Sequence, residues 1–306
     1  MVERPRGSKE FQRLLQRHAA EIGQLPQRVM HLVRVGVVCA MLDDVRHDDG
    51  GHLFIVKGGT AMQLRLGIQA RATTDLDVVF AGRVEDWLDR FDTATAGREW
   101  NGFTVTRKSE PTQIEIPGLG YRPWRVPLQI RYEGREFGSI ALEVAVDDAA
   151  PEHHDLIAPD GIELAAFAID PPELVPCLDV PNQIAQKLHA CTEPLAGGNE
   201  RVRDIIDIWL LEALLDTEEM SNLKAACLST FWRRQKHTWP PVASPSPGWE
   251  REYALLIIEY PDAPADVAAA VEYINDLVRR PPSPGRSRRA ALMCTRAPRY
   301  RTRSLR

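Results

Sequence analysis

One stretch constrains the fold more than any other part of this chain: a short apolar run that ends in two glycines and leads into a helical pattern. Residues 52–56 (HLFIV) predict a buried strand that stops at a tight turn formed by Gly58 and Gly59. The following residues, TAMQLRLGI, have the helical period, with Thr60 placed as the N-cap and Gly67 near the helix end. A buried strand next to a helix indicates an α+β protein in which helices cover a mixed sheet.

The next strand carries two acids on one face. Residues 74–80 (TDLDVVF) alternate, so that Asp75 and Asp77 project to one side and Leu76 and Val78 to the other. The two carboxylates are roughly 6.6 Å apart along the backbone and repel each other unless a cation offsets their charge. Mg²⁺ binds hard oxygen ligands, commonly one or two carboxylates together with substrate phosphates. These residues therefore predict half of a metal site.

A third acid for this site comes from a later strand. The run SIALEVAV places Glu143 between Leu142 and Val144, so its side chain faces away from theirs. Asp147 and Asp148, which follow directly, are the alternatives. Three carboxylates can hold two metal ions about 3.5 to 4 Å apart, a geometry that suits in-line phosphoryl transfer.

The glycine turn has a matching role in binding phosphate. Gly58 and Gly59 allow the backbone to approach a triphosphate, and the amide groups at a helix start point toward anionic oxygens. Thr60 adds a hydroxyl donor, and Lys57 and Arg71 add positive charge. Each feature alone is typical of an ordinary turn or a solvated strand edge, and only their order makes the pattern specific.

The remainder of the chain is mostly helical in pattern. Helical periodicity covers residues 9–46, strand-like runs alternate with turns up to residue 146, and helical patterns return after Pro171 and Pro172. The C-terminal half therefore predicts a helical bundle. The predicted domains are N-terminal helices at 1–46, a core at 47–170, a helical domain at 171–280 and a basic tail at 281–306.

The strand, Gly-Gly-Thr turn, helix, Asp-x-Asp strand and later apolar-flanked acid together resemble the DNA polymerase β-like nucleotidyltransferase fold. The sequence FIVKGGTAMQLRLG…RATTDLDVVF is similar to those of the AbiEii/AbiGii branch, which contains abortive-infection toxins and toxins of type IV toxin–antitoxin systems. This resemblance implies an NTP substrate, Mg²⁺ or Mn²⁺ as cofactor, and a separately encoded antitoxin. In some members it also implies NMP transfer to RNA at the 3′ acceptor end of tRNA.

The helical half carries a second part of the resemblance. The runs NQIAQKLHACTE and RVRDIIDIWLL match the family pattern at Lys187, Arg203, Asp204 and Asp207. The resemblance implies that Lys187 binds the triphosphate and that Asp207 positions or deprotonates an incoming hydroxyl, or orients Lys187. Without it, the same residues are typical of a solvated lysine and a helix-surface ion-pair cluster.

Composition excludes several other classes of protein. The N-terminal segment is charged throughout and no apolar run reaches membrane-spanning length, so a cytoplasmic protein without a membrane partner is expected. Five scattered cysteines without a CxxC pair argue against a disulfide framework or a zinc site. The net charge of −5 disfavours a broad RNA-binding face, so nucleotidylation of a protein or small molecule, or a non-catalytic nucleotide-binding module, stay open as alternatives.

The last 28 residues are strongly basic, although the chain as a whole has a net charge of −5. The segment from Arg279 to Arg306 has ten arginines and no acid. Such an arm is suited to contact phosphates. An unstructured extension with no specific role is the alternative. If the arm contacts RNA, deletion of residues 281–306 weakens RNA binding and flattens the dependence of log affinity on log salt concentration. An unchanged slope would assign the arm no role in RNA binding.

Overall fold

The structure, a computed structural model, describes residues 3–43, 45–48, 50–80, 83–115, 122–146, 153–159 and 164–280. The chain divides into two compact units, Met1–Asp179 and Val180–Arg306. This division lies beyond the boundary expected at residues 170 and 171. The alternative ligands Asp147 and Asp148, and the basic tail at 281–306, lie outside the described residues.

The first unit combines a sheet with helices. Its helices are α1 (Ser8–Glu21), α2 (Pro26–Leu42), α3 (Gly58–Leu66) and α4 (Val84–Thr95). Its strands are β1 (Phe54–Val56), β2 (Asp75–Phe80), β3 (Phe103–Arg107), β4 (Thr112–Gln113), β5 (Trp124–Tyr132), β6 (Arg135–Val146), β7 (His154–Ile157) and β8 (Val175–Leu178).

The strands form one mixed sheet in the order β3-β5-β6-β2-β1-β8-β7, with β4 paired to β5. The pairs β2–β6 and β1–β8 are parallel, whereas the β1–β2 and β5–β6 pairs are antiparallel. The two strands that carry the predicted acids, β2 and β6, are therefore direct neighbours. The α+β class and the mixed sheet with flanking helices predicted from the sequence are confirmed.

The N-terminal helices α1 and α2 contribute to the core of the first unit. Phe11 of α1 packs edge-on against Phe103, Tyr132 and Phe137 and stacks on Phe167, with ring centroids 4.9 to 5.8 Å apart. Phe11, Leu15 and Ala19 form the apolar face of α1, and they belong to the same core as the buried strand residues. Among the described residues, no single helix is long and apolar enough to cross a membrane, although α1 and α2, bent by 118°, meet that test as a pair.

The second unit is helical, as the sequence predicts. It contains α5 (Val180–Thr192), α6 (Arg203–Glu212), α7 (Thr217–Arg234), α8 (Trp249–Glu259) and α9 (Val267–Arg279). Helix α7 begins with a capping box, in which Asp216 accepts from the Glu219 amide and Glu219 accepts from the Asp216 amide. Helix α8 was not predicted, and it follows directly after the proline-rich loop at residues 240–248.

The cysteines have the packing role expected of them. Cys39, Cys177, Cys191 and Cys227 are all free and buried. Burial raises the pKa of the Cys39 thiol to about 12, so it is a neutral thiol at physiological pH. Cys294 lies outside the described residues.

Candidate active site

The start of α3 is tied to the backbone of β2. The Lys57 amide donates to the Asp77 carbonyl at 2.9 Å, and the Thr60 hydroxyl donates to the Asp75 carbonyl at 2.8 Å. The prediction of Thr60 as the N-cap is wrong, because α3 already begins at Gly58 with Lys57 in the N-cap position. Thr60 is fully buried, and its hydroxyl holds the acid-bearing strand in place. Its predicted contact with phosphate has no support in this geometry.

The two glycines make room for their neighbours in the sheet. Gly58 has φ +62°, and a Cβ added there would lie 2.3 Å from Asp77 Oδ2. A Cβ at Gly59 would lie 3.0 Å from the Thr73 Cβ. Position 58 therefore requires glycine for two reasons: its positive φ and the close approach of the Asp77 carboxylate. The structure brings the glycine turn and Asp77 into direct contact.

Strand register places the predicted acids on one face of the sheet. Asp77 is the direct partner of Glu143 across the parallel β2–β6 pair, and Asp75 is the partner of Ala141. Neighbouring strands are about 4.8 Å apart, so the side chains of Asp77 and Glu143 leave the sheet side by side. On the opposite face, Leu76 and Leu142 are fully buried in the core.

Arg125 extends this row and was missed from the sequence. It pairs with Glu143 across the antiparallel β5–β6 ladder. Its Nε donates to Glu143 Oε1 at 3.1 Å and its Nη2 donates to the same oxygen, while the Glu143 side chain is only 12% exposed. The hydrogen bond to Glu143, with a smaller contribution from the charge of Asp75, raises the pKa of Arg125 above its usual value. The alternation of β5 indicates on which face of the sheet Arg125 lies, but only the cross-strand register shows that its partner is Glu143.

The two predicted cations beside α3 lie at its two ends. Lys57 precedes the helix and is half-buried. Arg71, also half-buried, follows the helix, and its Nη1 donates to the Ala72 carbonyl at 3.3 Å. Their assignment to phosphate binding stays a prediction.

The second unit contains a buried charge cluster formed by three of the residues singled out in the sequence. Lys187 of α5 donates to Asp204 Oδ1 at 3.0 Å and to Asp207 Oδ2 at 2.6 Å. The side chains of Lys187 and Asp207 are 11% and 1% exposed. Burial alone would lower the pKa of Lys187, but the two carboxylates outweigh it and raise the pKa above its ordinary value. Lys187 is therefore a fixed positive charge and is not solvated, whereas the fourth residue, Arg203, forms an ion pair with Glu252.

Asn199 fixes the loop that connects α5 to α6. Its side-chain amide donates to the carbonyls of Ala190 and Glu193 at 2.8 and 2.9 Å, and its side-chain oxygen accepts from the Arg201 amide at 2.8 Å. These bonds set the start of α6, and with it the position of Asp204 in the first helical turn. The Gly-Gly-Asn sequence before a helix is the signal that points to such a loop residue.

Comparison with known proteins identifies the family. The profile described as "Nucleotidyl transferase AbiEii toxin, Type IV TA system" matches residues 40–280. The chain belongs to the AbiEii family. No curated protein sequence matches it significantly. A solved structure, the nucleotidyltransferase toxin MenT4 from Mycobacterium tuberculosis H37Rv, is similar with 16% identity and a TM-score of 0.46, over 88% of this chain and 98% of that one.

AbiEii membership makes this protein a nucleotidyltransferase toxin of a type IV toxin–antitoxin system. The family implies an NTP substrate and an antitoxin partner, and it usually implies a divalent metal ion. These statements concern the class of reaction. The acceptor and the identity of the metal belong to the proposal below.

The donor chemistry of the AbiEii sheet face fits a hard divalent cation, but one of its three acids, Glu143, is paired with an arginine. Asp75, Asp77 and Glu143 offer only carboxylate oxygens, which Mg²⁺ and Mn²⁺ prefer. Within the described ranges, no three His, Cys, Asp or Glu side chains converge closely enough to hold a metal ion. One Glu143 oxygen is bound to Arg125 instead. The chemistry of the three acids therefore suits such an ion, although one oxygen of Glu143 already accepts from Arg125.

The contact between Gly58 and Asp77 gives a direct test of this geometry. We expect Gly58→Ala to lower the free energy of unfolding by about 1–2 kcal/mol for positive φ and by about 1–3 kcal/mol more for overpacking against Asp77. Gly97→Ala is the matched control, because Gly97 has φ +68° but open space around it. Urea denaturation measures both variants.

The excess cost of Gly58→Ala over Gly97→Ala should shrink in an Asp77→Ala background, since the carboxylate is then absent. Equal costs for the two glycine variants would contradict the close approach of Asp77.

Proposed function

We propose that this AbiEii-family protein transfers NMP from an NTP to RNA, at the 3′ acceptor end of tRNA, in a reaction that depends on Mg²⁺ or Mn²⁺. One observation carries the proposal: Asp77 lies beside Glu143 on paired strands and against Gly58 at the start of α3. An acidic face that adjoins a helix N-terminus combines ligands for a metal ion with amides for phosphate.

In this proposal, the residues of the first unit bind the nucleotide. The amides at the start of α3 donate to phosphate oxygens, and Lys57 and Arg71 add positive charge. Asp75, Asp77 and Glu143 hold the divalent ion, which offsets the charge of the triphosphate. Thr60 acts as a positioning residue, because its hydroxyl fixes the backbone at Asp75.

Lys187 and Asp207 of the second unit are proposed to serve the same reaction. The acceptor hydroxyl oxygen forms a bond to the α-phosphorus, the bond from that phosphorus to the leaving pyrophosphate breaks, and the hydroxyl proton passes to solvent. Lys187 offsets negative charge on the phosphates as it develops. Asp207 is buried and accepts from Lys187, so we assign it the role of orienting that lysine in preference to the role of base.

The activity test is Asp77→Asn, which removes one negative charge at nearly constant volume. We expect transfer of label from α-³²P-NTP to RNA to fall by at least about 100-fold, because positioned charges of this kind contribute about 3 kcal/mol or more. Asp262→Asn, at an exposed position of the second unit, is the control and should keep wild-type activity.

The same assay distinguishes the acceptor when RNA, protein and metabolite fractions are labelled separately. If label appears only in protein or metabolites, the acceptor is a protein or a small molecule and not RNA. The net charge of −5 favours this alternative. NTP binding without transfer to any fraction would indicate a non-catalytic module. Full activity of Asp77→Asn would contradict the site itself.

Arg125 competes with a metal ion for Glu143 in this proposal. Its two hydrogen bonds to Oε1 hold a carboxylate that is 12% exposed, while Arg125 is itself 44% exposed. A divalent ion that binds Glu143 must displace this guanidinium or share the carboxylate with it. Displacement would free Arg125 to contact the phosphates of the NTP.

We expect Arg125→Met to tighten Mn²⁺ binding in the absence of NTP by about threefold to tenfold, because it removes a charge-assisted pair at a partly exposed site. The same variant should weaken NTP binding. Electron paramagnetic resonance of free Mn²⁺ measures the first effect and calorimetry the second. Arg131→Met, at an exposed position on the same strand, is the control. Unchanged Mn²⁺ affinity in Arg125→Met would show that Arg125 does not compete.

A further inference from the structure

The end of helix α7 presents an exposed tryptophan among cations. Trp232 lies in the last turn of the helix and is 75% exposed. Arg233 and Lys236, also exposed, lie on either side of the helix end. From Met220 to Trp249 the sequence contains no Asp or Glu, although the chain as a whole has a net charge of −5. Cations in a run without acids, on a chain of negative net charge, indicate an anionic partner.

The residues between these exposed side chains anchor the segment to the helical unit. Phe231 is buried and its ring contacts those of His189, His237 and Trp239 at centroid distances of 4.9, 4.8 and 5.3 Å. Arg234 donates to the Gln186 carbonyl of α5. The segment therefore has an inner side that packs and an outer side that carries Trp232, Arg233 and Lys236, which we call the α7-end surface.

The inner side adds no positive charge of its own through its histidines. Burial lowers the pKa of His189 to about 3 and also lowers the pKa of His237, so both rings are neutral at physiological pH. The charge of the segment therefore comes from Arg233, Arg234 and Lys236, and two of these belong to the outer side.

The chemistry of the α7-end surface fits a single nucleic acid strand. An exposed aromatic ring stacks on any base, and neighbouring cations contact the phosphates on either side of that base. Helix C-termini commonly carry cations that offset the helix dipole, which accounts for Arg233 and Arg234. That effect does not account for Lys236, which lies beyond the helix, or for an exposed Trp232.

We infer that the α7-end surface binds single-stranded RNA, with Trp232 stacked on a base and Arg233 and Lys236 on the adjoining phosphates. This inference rests on the proposed function, because RNA is the acceptor that the proposed function names. A protein partner such as the antitoxin is the alternative occupant of an exposed aromatic side chain. The absence of acids from residues 220–249 favours RNA.

The apolar surface on helix α8 provides the contrast. Leu255 and Ile258 are 66% and 77% exposed on a helix that also carries Glu250, Glu252 and Glu259. Those acids repel phosphates, so this face does not suit RNA. Leu255→Ala is therefore a matched control for Trp232→Ala, since both truncate an exposed apolar side chain of the same unit.

The test is fluorescence anisotropy of the full chain with a short labelled single-stranded RNA at several salt concentrations. We expect Trp232→Ala to weaken RNA binding by about fivefold to a hundredfold, the range for loss of one base stack. Trp232→Phe should recover most of the affinity, and Leu255→Ala should bind as wild type. Thermal melting should not change for Trp232→Ala, because the side chain is mostly exposed.

The charge of the surface is tested by the double variant Arg233→Gln/Lys236→Gln. We expect the slope of log affinity against log salt to fall in magnitude by about 1.4, because each contact with a single strand contributes about 0.7. The control is Lys9→Gln/Arg13→Gln, which removes two exposed cations from α1. NTP affinity should be the same in all these variants.

Equal RNA affinity of wild type and Trp232→Ala would overturn the inference, and so would a loss of antitoxin binding with RNA binding intact. Failure of the proposed function has a different signature. In that case RNA would receive no label from wild-type protein, while Trp232→Ala would still weaken RNA binding.

Discussion

The parallel pairing of β2 with β6 is the constraint from which the rest of the site follows. It sets Asp77 next to Glu143 at strand spacing, and like charges at that distance disfavour the folded state unless other groups offset them. Arg125 does so from β5, and the start of α3 places amides against the same face. The hydrogen bonds from the Lys57 amide and the Thr60 hydroxyl to β2 fix this arrangement. The repulsion between the acids therefore destabilises the fold, and a bound cation would offset it.

The helical unit also brings two carboxylates close together, and there a lysine side chain offsets their charge. There, a single lysine is buried between two carboxylates, and the pair of acids keeps the cation charged. Removing either partner from such a cluster leaves a buried charge uncompensated and costs about 3–5 kcal/mol. Asn199 holds the loop that sets this geometry, so the position of Lys187 depends on backbone contacts made well outside the cluster.

The faces of the strands could be predicted from the sequence, whereas the contacts between elements could not. Alternation with period two places Asp75, Asp77 and Glu143 correctly because it is a local property of each strand. The partner of Arg125 depends on register between distant segments, which no local pattern specifies. The prediction of Thr60 as the N-cap is wrong for a related reason, since no local pattern shows that the Thr60 hydroxyl donates to β2. Helix α3 begins two residues before Thr60, at Gly58.

The net charge of −5 argues against a broad RNA-binding face, but it does not argue against a small local one. At physiological ionic strength, charges more than about 8 Å apart are largely screened from one another. A strand of RNA at the end of α7 therefore responds mainly to Arg233, Lys236 and the ring of Trp232, and only weakly to acids elsewhere on the chain. The acidic remainder has a separate effect, since it discourages non-specific binding of polyanions and leaves the local cations to select where RNA attaches.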